Sequence, residues 1–132
     1  MAASIDHFLK CKENLKRILI QKKVIAEYDA IAGFPYLLNM RSCYPEAWKE
    51  EENVFWPVDF PTEDEIYWSS ARSSNEDPAI CISKLLPHVE FSYETFYEAE
   101  WDGQCFLMDG VFSKESAVKE NADPRQSDMP PF

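Results

Sequence analysis

The stretch "VEFSYETFYEAEW", residues 89–101, constrains the fold of this chain more than any other segment. Apolar or aromatic side chains take most odd positions: Val89, Phe91, Tyr93, Tyr97 and Trp101. Carboxylates take four of the six even ones: Glu90, Glu94, Glu98 and Glu100. Alternation of this kind is the signature of a strand with one buried and one wet face. It predicts that 89–101 and 104–112 form an antiparallel hairpin turning at Asp102-Gly103, since Asp-Gly tolerates positive φ. Phe91, Tyr93 and Tyr97 should then be buried, with Glu94 and Glu98 exposed.

The remaining periodicities surround this hairpin with helices and further strands. Ile5, Phe8, Leu9, Leu15, Ile18 and Leu19 recur at helical spacing behind Ser4, a good N-cap. They predict an amphipathic helix over 5–22 with Lys10, Lys12, Lys16 and Arg17 near its wet side. Residues 24–32 fit strand and helix equally well. "YPEAWKEEEN" predicts a short helix with Pro45 at its first position and an unfavourable acidic end at Glu50, Glu51 and Glu52. "VFWPVDF" (54–60) reads as a strand that Pro57 confines to an edge or a bulge. "EIYWSSAR" (65–72) reads as a strand with Ile66 and Trp68 on one face and Tyr67 on the other. Asp77 as cap and Pro78 in first position open a helix that Pro87 closes. Runs of strands with helices between them predict one α+β domain over 1–120, an antiparallel sheet with helices packed on one face. Residues 121–132 hold too few apolar groups to order and should form a disordered tail.

Charge limits the function. Residues 1–23 carry six Lys/Arg against two Asp/Glu, whereas 24–132 carry seven against twenty-two, for a net charge of −11. Such a body repels nucleic acid and anionic membrane and attracts basic partners. No Lys or Arg occurs from 85 to 113, although ordinary surfaces intersperse both signs. The start of the chain has no long apolar run behind a basic tip, which argues against a signal peptide or membrane span and for a cytoplasmic protein. Cys11, Cys43, Cys81 and Cys105 are scattered, with no spacing suited to zinc, and are expected as reduced structural thiols.

Catalytic templates are missing. The chain has three glycines and no phosphate-cradling loop, no dinucleotide fingerprint, no GxSxG and no HExxH. His7 and His88 fall near predicted helix ends, where capping or surface roles are the default. Asp59, Glu63, Asp64, Glu65 and Asp109 could serve a carboxylate metal-dependent hydrolase, but a nuclease of that kind needs a basic groove for its polyanion. No catalytic residue, metal or cofactor is therefore assigned.

The segment 66–110 resembles the YubB-like family of ferredoxin-like domains. The likeness rests on Trp68-Ser69 at the end of a strand, an apolar helix from Ile82 to Pro87, Tyr93 to Glu98, and a closing hairpin at Gly103 to Phe106. Unlike that pattern, no proline follows Trp68-Ser69. The resemblance implies a ferredoxin-like topology and a phage or mobile-element setting, and it brings no catalytic motif. Joined to the acidic strand, it suggests an immunity-type or anti-defence inhibitor. Glu90, Glu94, Phe96, Glu98, Glu100 and Asp102 would occlude a basic partner protein, such as a nuclease, without contacting nucleic acid or membrane. The bland alternative is a solvated strand face that discourages edge aggregation. A further alternative is an adaptor that uses the basic first helix.

Overall fold

The computed structural model describes residues 4–31, 34–50, 54–71 and 75–116. Its first element corrects the first expectation. Ser4–Lys10 is a strand, β1, and the helix α1 is confined to Leu15–Gln21. In "SIDHFLK" Ile5, His7 and Leu9 are buried while Asp6 and Phe8 are half-buried on the other side, a period of two. Ile5, Phe8 and Leu9 satisfy helical spacing as well, so local pattern does not arbitrate. Strands on both flanks do, because they take up the backbone hydrogen-bonding groups of β1. Helix α1 starts where Asn14 caps it, its Oδ1 accepting from the Arg17 N–H at 3.0 Å.

After α1 come β2 (Ile25–Ile31) and β3 (Phe34–Asn39), the short helices α2 (Met40–Cys43) and α3 (Pro45–Trp48), and then β4 (Phe55–Thr62) and β5 (Glu65–Ala71). Pro45 stands in the first turn of α3, where its missing N–H costs nothing. The acidic run at Glu51 and Glu52 lies outside the described residues. Strand β4 is internal, not an edge. It pairs with β3 through 55–58 and with β5 at Asp59 and Thr62, with a register shift between those last two contacts. In β5 Ile66 and Trp68 are buried and Tyr67 faces the other way, as the alternation predicts. Helix α4 (Asp77–Leu85) begins one residue earlier than expected, with Glu76 as its N-cap, and it ends before Pro87.

The hairpin exists, but its turn is elsewhere. Strands β6 (Phe91–Tyr97) and β7 (Glu100–Met108) are joined at Glu98-Ala99, both at positive φ (50° and 71°). Two left-handed residues match the twist of the flanking strands. The turn is tied to β1 by the Glu98 N–H, which donates to the Ser4 carbonyl at 2.9 Å. Asp102-Gly103 instead marks a bulge: Thr95 pairs with Gly103 and Phe96 with Trp101, leaving Asp102 as the extra residue. A second turn at Asp109-Gly110 (φ 53° and 81°) leads into β8 (Val111–Ser113), so 104–112 is not one strand. Phe91 and Tyr93 are buried as expected, whereas Tyr97 is 44% exposed beside the turn. Ala99 in the left-handed region carries a strain that glycine would not. Ala99→Gly is expected to raise stability by about 1 kcal/mol, seen as a higher urea midpoint at unchanged slope.

The eight strands form one antiparallel sheet in the order β2-β3-β4-β5-β1-β6-β7-β8. This overturns the expected ferredoxin-like α+β sheet with helices packed on one face. The described helices are four to nine residues long, and the sheet is the body of the molecule. The difference arises because residues 5–10, expected as the start of a helix behind Ser4, are strand, and because 24–32 fits strand and helix equally well while the strand Phe34–Asn39 was not foreseen. The core cluster joins Leu9, Ile66, Trp68, Phe91 and Leu107 of the sheet to Leu15, Leu19, Met40 and Ile82 of the helices. All four cysteines are free, and burial pushes the Cys43 and Cys81 thiols up to about 12. The predicted disordered tail, 121–132, lies outside the described residues.

Candidate functional site

The strand alternation that buries Ile5, His7 and Leu9 sends Asp6, Phe8 and Lys10 to the opposite side of the sheet. Register then decides their neighbours. Phe8 lies between Tyr67 of β5 and Glu94 of β6, and Glu94 is opposite Gln104 of β7. Asp6 lies between Ser69 and Phe96, and Phe96 is opposite Trp101. None of Phe8, Tyr67, Phe96 or Trp101 belongs to the core cluster or packs against it. They form an open face.

Two patterns interleave on that face. The first is aromatic: Phe34 stacks on Tyr67 (5.5 Å between centroids), Tyr67 on Phe8 (4.9 Å), and Phe96 meets Phe8 edge-on (5.6 Å, 84°). Trp101 extends the series and is 60% exposed. The second is acidic. Asp6 and Glu94 occupy one diagonal of a square whose other diagonal is Phe8 and Phe96, while Asp59 is opposite Tyr67 and Glu65 opposite Lys10.

The two central carboxylates are oriented by aromatic donors. The Tyr67 hydroxyl donates to Asp6 Oδ1 at 2.8 Å, and the Trp101 indole N–H donates to Glu94 Oε2 at 3.1 Å. Burial, with the hydrogen bond to Asp6 and the charges of Asp6 and Asp59, pushes the Tyr67 phenol up to about 12. Glu65 is raised chiefly by burial; Lys10 opposes the shift, and Asp64 and Glu94 add to it. Among the described residues the one ion pair is His88–Asp109 at 3.8 Å, which involves none of these carboxylates. The carboxylates of the face thus have no ion-pair partner among the described residues.

The sequence-predicted residues separate into three groups. Glu94 and Phe96 sit on the open face. Glu98 is in the turn, Glu100 is opposite Tyr97, and Asp102 accepts from the Thr95 hydroxyl at 3.3 Å. These three line a depression of about 330 Å³ at the hairpin tip together with Tyr97 and Trp101. Glu90 precedes β6 and accepts from the Ser116 hydroxyl at 2.5 Å, beside Lys10 and Lys12. The six do not share one setting: Glu98, Glu100 and Asp102 line the depression at the hairpin tip and Glu90 lies at the opposite end of β6, whereas Trp101 reaches back to Glu94. Asp6, Phe8, Tyr67 and Trp101 were not foreseen as site residues. The alternation within "SIDHFLK" was the available signal for Asp6 and Phe8.

His7 was misplaced by the same error. It lies in mid-strand, 0% exposed, its ring stacked on Trp68 at 5.0 Å. Its Nδ1 is 2.6 Å from the Tyr93 hydroxyl and its Nε2 is 2.9 Å from the Ser70 hydroxyl. A neutral imidazole donates through one nitrogen and accepts through the other, and hydroxyls answer either role. Burial lowers its pKa to about 4, against a smaller upward pull from Asp6. It is a satisfied core histidine.

Among the described residues no group of three or more His, Cys, Asp or Glu side chains is placed to hold a metal ion. Asp59 bonds the following Phe60 N–H, and Asp64 accepts from the Thr62 hydroxyl at 2.5 Å. Asp109 holds the His88 N–H. The basic helix expected to serve an adaptor is divided: Lys10 ends β1, Lys12 is in the loop, and Lys16 lies over the Tyr36 ring at 5.5 Å. No helix of the described residues is long and apolar enough to cross a membrane. Comparisons with protein families, with curated proteins and with solved structures find no match to this chain.

Proposed function

We propose that this chain is a small acidic binding protein that occludes a basic protein partner through the open sheet face. The observation that carries the reading is the aromatic series Phe34–Tyr67–Phe8–Phe96 with Asp6, Asp59, Glu65 and Glu94 set into it. Aromatic rings supply contact area, and carboxylates held against rings interact with an incoming cation in a lower dielectric than bulk water. Charge complementarity speeds encounter and selects against acidic partners.

Aromatic sheet faces also serve nucleobase stacking, but those faces sit in positive potential. Here, among the described residues, the four carboxylates of the face stand against Lys10. A nucleic-acid-handling protein fits better, because its own binding surface must be basic to hold a polyanion. An immunity or anti-defence inhibitor of such a protein is the role this chemistry favours.

The test uses the full chain and a nonapeptide of alternating lysine and arginine, mapped by backbone chemical shifts. Perturbations are expected on Phe8, Tyr67, Glu94 and Phe96. Asp6→Asn with Glu94→Gln keeps both hydrogen-bond acceptors and removes two charges. That pair should weaken binding about tenfold or more at low salt and little near 1 M, where the screening length is ~3 Å. Neutralising Glu98 and Glu100 should matter much less. Shifts centred on the hairpin tip, or a tip pair that outweighs the face pair, would overturn the reading.

A further inference from the structure

The square formed by Asp6, Phe8, Glu94 and Phe96, with Trp101 at its rim, has a chemistry narrower than "basic". We infer that it is an arginine site: a guanidinium from the partner stacks against the Trp101 indole and bonds the Glu94 carboxylate. This inference rests on the docking role proposed above and specifies which cation that face selects.

Three features support it. First, Glu94 is held at the edge of the indole by the 3.1 Å bond from Trp101 Nε1 to Oε2. A cation bonded to the same carboxylate through Oε1 is brought within reach of the ring face. A planar guanidinium can satisfy both at once, offering N–H groups in its plane and its flat face to the ring. A lysine ammonium has no plane to stack and holds its water more tightly.

Second, Asp6 lies diagonally across from Glu94, at the ~7–8 Å typical of diagonal cross-strand neighbours. Five N–H donors can engage one carboxylate fully and still approach the other, which three ammonium donors on one nitrogen do less well. The Tyr67 hydroxyl holds Asp6 in place, so little order has to be created on binding.

Third, the charge around the square is uncompensated. Asp6 and Glu94 have no ion-pair partner among the described residues, and the lysine on the face, Lys10, is opposite Glu65 and Ser92 at the other end of β1. Glu65 also feels the negative charge of Glu94. A guanidinium placed between the diagonal acids relieves that repulsion as well as forming its own bonds.

The experiment compares nonapeptides of arginine alone and of lysine alone, equal in length and charge, titrated into the full chain at constant salt. Oligo-arginine should bind at least tenfold more tightly. Trp101→Leu keeps an apolar residue at an exposed position and removes the indole, so the fold should be retained. In that variant oligo-arginine should fall to the level of oligo-lysine, whose own affinity should change less than about twofold, since an ammonium has no planar face to lose from the indole. Equal affinities in the unaltered protein would overturn the arginine site and leave docking of a basic partner standing. An arginine preference that survives Trp101→Leu would also overturn it. If neither peptide perturbs the face, both proposals fail together.

Discussion

Acidification from pH 7 to pH 4 is expected to remove on the order of 3 kcal/mol of folding stability through His7 alone. The imidazole is fully buried, stacked on Trp68 and bonded through both nitrogens to neutral hydroxyls. Neither hydroxyl can offset a positive charge, so burial lowers the folded pKa from 6.5 to about 4. Between those two values the unfolded chain binds a proton that the folded chain refuses. The contribution is therefore complete above pH 6.5, declines as pH falls through 6 and 5, and is gone below about 4. His7→Gln keeps an acceptor and a donor and cannot titrate. Urea midpoints measured from pH 7 to pH 4 should fall more steeply in the unaltered protein than in the variant. The carboxylates shared by both proteins cancel in that comparison. Parallel profiles would show that His7 gains a proton without cost and that the packing around it opens in acid.

Trp68→Ala is expected to be the most damaging single substitution in the sheet, costing about 3–5 kcal/mol. Trp68 is 0% exposed and stacks with His7 (5.0 Å) and Tyr93 (6.1 Å) in a ring cluster that spans β5, β1 and β6. Its indole N–H donates to the Asn75 carbonyl at 3.0 Å, joining the sheet to the segment that enters α4. Truncation opens a cavity at the centre of the core and removes a ring contact from His7. Against a typical total of 5–15 kcal/mol, such a loss brings the protein near its unfolding threshold. Trp68→Phe keeps most of the apolar volume and loses the hydrogen bond, so it should cost less, on the order of 1–3 kcal/mol. A denaturant series on both variants checks the order. Equal losses would mean that the Asn75 bond, not the ring volume, carries the effect.

What could be read from the chain was whatever a single segment settles by its own periodicity. Ile66 and Trp68 against Tyr67, and Phe91 and Tyr93 against Glu94, alternate because side chains of a strand point to opposite faces whatever the neighbouring strands are. Pro45 and Pro78 marked helix starts because the missing N–H is harmless only there. The acidic excess was equally plain, since charge is additive and needs no fold.

Tertiary pairing decided the rest. Ser4–Lys10 satisfies two periods, and it became a strand because β5 and β6 flank it and accept its backbone. The turn moved to Glu98-Ala99 because the Glu98 N–H reaches Ser4 and Trp101 pairs with Phe96, a gain that outweighs the local preference of Asp-Gly. The candidate site belongs to this second class. Asp6 and Phe8 approach Glu94 and Phe96 only through the β1–β6 register, and Tyr67 only through β1–β5. Periodicity says which side of its own strand a residue takes; which strands lie next to it, and in what register, depends on contacts between segments distant in sequence.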